Sequence, residues 1–183
     1  MFNIGISTVT TIIALVVGFI AIPSTFAQTT PLAATFNNNS TNGTLDTVLG
    51  PPFFEDRGSK VTGTRVMNTN PAQTEDSFVA NVTIRGVGNA TDTGTFITTY
   101  KPGGITTSEG QGIISTTDGE IATYTAQDLG FTNKTGDTTY RGIQIFATNS
   151  SGKMSFMDNL VGLYVYENNA EGDRISGKIW EWK

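Results

Sequence analysis

Ser77-Phe78-Val79-Ala80-Asn81-Val82-Thr83-Ile84-Arg85 is the stretch that decides the fold. Phe78, Ala80, Val82 and Ile84 alternate with Ser77, Val79, Asn81, Thr83 and Arg85, the period-two pattern of a strand with one buried face. That alternation puts Asn81 on the solvent side. Outward from it, strand-like runs recur at 60–68, 93–101, 105–116, 120–128, 138–148, 161–167 and 174–182. The separators carry turn chemistry, among them Asn70-Pro71, Gly86-Val87-Gly88, Pro102-Gly103-Gly104, Asp118-Gly119 and Ser150-Ser151-Gly152. Asp118-Gly119 is the strongest hairpin signal, because both residues tolerate positive φ. Only 154–160 reads as a short helical turn.

Eight runs joined by short connections form an antiparallel meander. Left open, such a sheet exposes two edges to other chains, and closure removes them. The expected fold is therefore all-β, an eight-stranded antiparallel up-and-down barrel with a short helical turn, whose interior holds side chains or one small ligand. A two-sheet sandwich is the alternative. In the last two runs both faces are apolar: Val161, Leu163 and Val165 oppose Tyr164 and Tyr166, and Ile175 and Ile179 oppose Trp180 and Trp182. A sheet with one wet face does not read this way. Either the N-terminal segment with Phe53 and Phe54 or a second subunit is expected to cover the outside there.

Composition removes whole classes of function. The 183 residues contain no Cys and no His, which excludes thiolate chemistry, disulfides, Cys or His metal ligands and every Ser–His–Asp arrangement. No metal and no cofactor are expected. Eleven Lys and Arg stand against 16 Asp and Glu, a net charge of −5, so nucleic acid is not an expected partner.

The chain divides into three parts. Residues 1–27 carry no charged side chain and centre on the apolar run Ile12-Ile13-Ala14-Leu15-Val16-Val17-Gly18-Phe19-Ile20-Ala21-Ile22. That run has the length of a signal-peptide core, and Ser24-Thr25-Phe26-Ala27 supplies small residues for cleavage. An uncleaved membrane anchor is the other explanation, and the n-region lacks Lys and Arg. Either way the expected location is secreted or associated with the cell envelope, with membrane contact only if the segment is retained. Residues 28–57 are polar and low in complexity and read as a disordered, flexible N-terminal segment, with Phe53-Phe54 as a plug for one end of the domain. Residues 58–183 form the β-barrel domain. Sequons at Asn38, Asn39, Asn42, Asn81, Asn89, Asn133 and Asn149 are candidate glycosylation sites, unless they reflect only an Asn- and Thr-rich composition.

Lys60-Val61-Thr62-Gly63-Thr64-Arg65-Val66, Glu109-Gly110-Gln111-Gly112, Tyr140-Arg141-Gly142 and Gly177-Lys178-Ile179-Trp180-Glu181-Trp182-Lys183 resemble motifs of a family of small prokaryotic β-barrel proteins without an assigned activity. That family resembles the allene oxide cyclase-like barrels, which include the dirigent proteins. The resemblance implies an eight-stranded antiparallel barrel with an internal cavity, assembled as a homo-oligomer, a trimer. It brings no activity with it. Plant allene oxide cyclase steers a reactive epoxide with a bound water, a carboxylate and a cysteine, and this chain has no cysteine.

Glu109, Gln111 and Ile113 share one face of a strand whose other face is glycine. If that face lines the cavity, burial raises the Glu109 carboxyl toward a general acid or base, making it the catalytic candidate. The competing explanation is an interior ion pair with Arg65 or Arg141, each on an otherwise apolar face. Arg65, Glu109, Gln111, Tyr124 and Arg141 are the expected ligand contacts, and Tyr100, Tyr140, Trp180 and Trp182 are more simply packing residues. The functional expectation is an exported barrel that binds a small, partly apolar ligand or acts as an envelope-associated interaction module. The alternative is a cofactor-free isomerase or cyclase, and a third is a purely structural, glycosylated surface protein.

Overall fold

The computed structural model of the protein describes residues 41–183. The proposed leader, residues 28–40 of segment 28–57 and the sequons at Asn38 and Asn39 lie outside them; Asn42 falls in the helix below. Helix α1 (Thr41–Leu49) precedes eight strands: β1 (Phe54–Thr69), β2 (Ala72–Ile84), β3 (Gly88–Lys101), β4 (Ile105–Ser115), β5 (Ile121–Thr132), β6 (Thr138–Ala147), β7 (Val161–Asn168) and β8 (Arg174–Glu181). One 3-10 turn, Lys153–Met157, connects β6 to β7. Each strand pairs antiparallel with the next, and β8 returns to β1, so the sheet is a closed barrel and not a sandwich. The eight runs legible in the sequence are the eight strands.

The closing seam is short. Phe54 pairs with Ile179, Glu55 with Lys178 and Asp56 with Gly177. Beyond Asp56 the chain takes φ +146° at Gly58, a register shift intervenes, and β1 runs on against β2 alone. β1 thus begins earlier than the pattern from residue 60 suggests, and Phe54 is a wall residue of the barrel.

The interior has two storeys. At one end Phe53, Phe54, Ile84, Ile114, Phe146, Met154, Met157 and Ile179 are all at most 2% exposed and form a dry plug. The Phe53 ring packs edge-on against Phe146 (5.7 Å) and Phe156 (5.9 Å), as expected of a plug. The Glu120 carboxylate holds the capping turn in place, accepting the Ser150 hydroxyl and the backbone N–H groups of Lys153 (2.9 Å) and Met154 (2.8 Å).

Six inward-facing aromatic rings each lie directly across the ladder from a glycine: Phe78 from Gly94, Phe96 from Gly110, Tyr124 from Gly112, Tyr140 from Gly130, Tyr164 from Gly142 and Tyr166 from Gly177. A Cβ at Gly112 would meet the Tyr124 ring at 2.4 Å, and one at Gly177 the Tyr166 ring at 2.2 Å. The rings lie over bare backbone, the close approach that strand glycines permit.

Outside, α1 covers β8. Trp180 faces outward yet is fully buried, and its indole N–H donates to Asp46 of α1 at 2.7 Å. The N-terminal segment therefore supplies the expected cover, through α1 and not through the phenylalanines, which face inward. The expected apolar outer face is only partly covered: Val165 is 4% exposed, whereas Ile175 and Trp182 are each 59% exposed.

Candidate functional site

Opposite the plug the barrel opens into a chamber of about 650 Å³. Inward positions of β1, β3 and β5 contribute Asp56, Asp92 and Asp128, and β8 contributes Arg174. Tyr124 donates its hydroxyl to Asp92 (3.1 Å to Oδ1, 3.3 Å to Oδ2), and Tyr164 donates to Asp128 Oδ2 at 2.8 Å. Each aspartate thus accepts from a tyrosine two strands away. Those tyrosines are positioned by Gly112 and Gly142, so the glycine pattern and the polar site are one arrangement.

Arg174 serves the third carboxyl. Its Nη1 lies 3.3 Å from Asp56 Oδ2, its Nε donates to Asn168 at 2.7 Å, and its guanidinium lies 4.1 Å from the centre of the Tyr166 ring. Cation–π contact and ion pairing together fix it at the chamber rim. Asp56 Oδ1 accepts the backbone N–H of Gly58 at 2.8 Å, tying the site to the bend that ends the seam.

Burial dominates the electrostatics. It pushes Asp92 up to about 7, against the hydrogen bond from Tyr124, and it raises Asp56 and Asp128 as well. It also raises Tyr124, Tyr164 and Tyr166, which keep their protons. A carboxyl that titrates near neutrality can donate or accept a proton there, which places Asp92 among groups suited to acid–base work. Among the described residues no three acidic side chains are grouped to hold a metal ion.

Of the expected ligand contacts, Tyr124 is in the chamber, and Tyr100 and Tyr140, expected to be packing residues, line it too. Glu109 and Gln111 face outward, where they line a separate exterior groove of about 430 Å³ with Ile97, Ile143 and Ile145. Their placement corrects the expected orientation of β4, and the cause is the glycines: Gly110 and Gly112 face inward because Phe96 and Tyr124 occupy the space beside them. Among the described residues, Glu109 lies on the outer face and not in an interior ion pair. Arg65 lies on the exposed part of β1 and pairs with Glu75 across the ladder at 3.1 Å. Arg141 sits on the outer face of β6 with Ile143 and Ile145, away from the chamber. Asn81, Asn89, Asn133 and Asn149 are exposed, Asn81 as expected.

Asp56, Asp92, Asp128 and Arg174 were not singled out in the sequence. A signal existed for two of them. Asp128 shares strand parity with Tyr124 and Ala126 within the run 120–128, and Asp92 shares it with Ala90 and Gly94 once β3 is drawn to full length, so both belong to inward faces.

No protein-family model matches the sequence, and no curated protein matches it. Among solved structures, the barrel is similar to the crystal structure of a conserved protein of unknown function from Rhodopseudomonas palustris. The TM-score is 0.58 at 12% identity, over 72% of this chain and 94% of that one. At that identity the likeness is one of fold.

Proposed function

We propose that this barrel binds a small, partly apolar ligand in its open chamber. The observation that carries the proposal is the contrast between the two storeys: one end is packed closed, while the other holds about 650 Å³ walled by aromatic rings and by many polar and charged side chains. The size is that of a small-molecule pocket, and the rings supply its apolar part. The leader-like segment and the exposed sequons support an exported or envelope-associated protein. The outer groove with Ile143 (37% exposed) and Ile145 (49% exposed) supports an interaction face, including assembly with further copies of the chain.

The test is a fragment screen by thermal shift on the full chain and on a Ser108→Phe variant that fills the chamber, with native mass spectrometry of protein from its source to detect co-purifying molecules and subunit count. Compounds that stabilise the parent and not the filled variant support the proposal. It fails if no compound shifts the parent, or if the shifts survive in the filled variant.

A second reading, a cofactor-free isomerase, is favoured by one observation, the Asp92 carboxyl that burial pushes up to about 7 beside the Tyr124 hydroxyl. Within that reading the acid–base role belongs to Asp92 and not to Glu109. Turnover of a bound compound that Asp92→Asn abolishes without weakening binding supports it; unchanged turnover in that variant excludes it.

A further inference from the structure

We infer that the ligand of the chamber is an organic cation, an ammonium group on a short apolar stem, received between Asp92 and Asp128. The inference rests on the chamber being a binding site and adds the chemical class of its occupant.

The first support is an imbalance of charge. Asp56, Asp76, Asp92, Asp128, Glu171 and Asp173 line the chamber, against Lys60 and Arg174. Arg174 is committed to Asp56 and Asn168. Asp92 is thus partnered by a tyrosine hydroxyl and Asp128 by a tyrosine hydroxyl and Ser108, and among the described residues no cation is in direct contact with either. A cleft lined by one sign of charge with low-dielectric walls concentrates ions of the opposite sign.

The second support is independent of charge. Gln144, 1% exposed on the inner face of β6, has its carbonyl Oε1 buried without a hydrogen-bond partner. Asp128 Oδ1 is also buried without a well-formed hydrogen bond, with Ser108, its ladder partner, acting on the same carboxyl. The two belong to adjacent strands, with Gln144 opposite Ala126 and Asp128 opposite Gly142. Both orphaned atoms are acceptors, and buried acceptors without donors are costly. The complement is a group rich in donors and without acceptors, and an ammonium, with three N–H donors and no acceptor, is that group. An anion or an ether oxygen would add acceptors to acceptors.

The third support is the wall. Phe78, Phe96 and Tyr140 line the same space, and their rings suit both an apolar stem and a cationic head. The scattered carboxylates form no metal cluster among the described residues, which favours an organic cation over a bare ion.

The test uses three probes with one aromatic stem and different heads: phenethylamine, 2-phenylethanol and 3-phenylpropionate, titrated calorimetrically into the full chain at pH 8 and pH 5. The expected result is that the amine binds at least about tenfold more tightly than the alcohol at pH 8, that the carboxylate does not bind, and that amine binding weakens toward pH 5 as the carboxyls take up protons. Asp128→Asn and Gln144→Leu are expected to weaken the amine and leave the alcohol unchanged. The pH comparison on the parent protein needs no variant to fold. Equal or tighter binding of the alcohol or carboxylate overturns the cation and leaves chamber binding standing. Binding of none of the three overturns the cation, and the fragment screen then decides chamber binding separately.

Discussion

Tyr124 on β5 reaches across β4 to donate its hydroxyl to Asp92 on β3, and it can do so because Gly112, its partner across the ladder, has no side chain. This contact joins the packing of the barrel to the chemistry of its chamber. Three strands, one missing Cβ and one buried acid define it, and each can be perturbed separately.

The first prediction concerns pH. Burial holds Asp92 near 7 in the folded protein, whereas in the unfolded chain it titrates near its ordinary value of 3.8. Between those values the native state binds more protons than the unfolded state, so stability falls as pH rises through the window and levels off above it. A gap of that size corresponds to at most about 4 kcal/mol. Asp56 and Asp128, also raised, act in the same direction. Denaturant unfolding at pH 4.5 and pH 8 is expected to show lower stability at pH 8, with a smaller difference in Asp92→Asn. Rising stability across this window would contradict the assignment.

Gly112→Ala tests the role of bare backbone. The new Cβ would lie 2.4 Å from the Tyr124 ring, which must move and release Asp92. Overpacking of this kind costs about 1–3 kcal/mol. Gly63→Ala is the control, since a Cβ there meets nothing within 4 Å. The melting temperature is expected to drop for Gly112→Ala and to stay near the parent value for the control.

Asp46→Ala tests the docking of α1. It removes the acceptor for the fully buried Trp180 indole, a hydrogen bond to a charged group worth about 1.5–3 kcal/mol. In a Trp182→Phe background the emission comes from Trp180 alone. A red shift after Asp46→Ala would show the indole meeting water. Unchanged emission would mean that packing alone keeps α1 on β8.

Glu109→Gln changes a side chain on the outer face of β4. Stability within about 0.5 kcal/mol of the parent and unchanged ligand shifts are expected. A loss of ligand shift would return Glu109 to the site and contradict the inward placement of Gly110 and Gly112.

The sequence by itself determined the strands. Period-two alternation and turn residues are local properties, so the eight runs, the hairpin at Asp118-Gly119 and the short turn near Met154 were legible, and closure followed from the number of strands and the cost of open edges. Parity within a strand was legible too, but not which parity faces inward where both faces look poor. In β4 a polar face stood beside a glycine face, and the glycine face became the interior. The tertiary structure decided this through rings supplied by neighbouring strands, Phe96 from β3 and Tyr124 from β5. For the same reason the site was only partly visible. Asp56, Asp92, Asp128 and Arg174 are far apart along the chain, and only closure of the barrel brings them to one chamber, where burial alters their acidity.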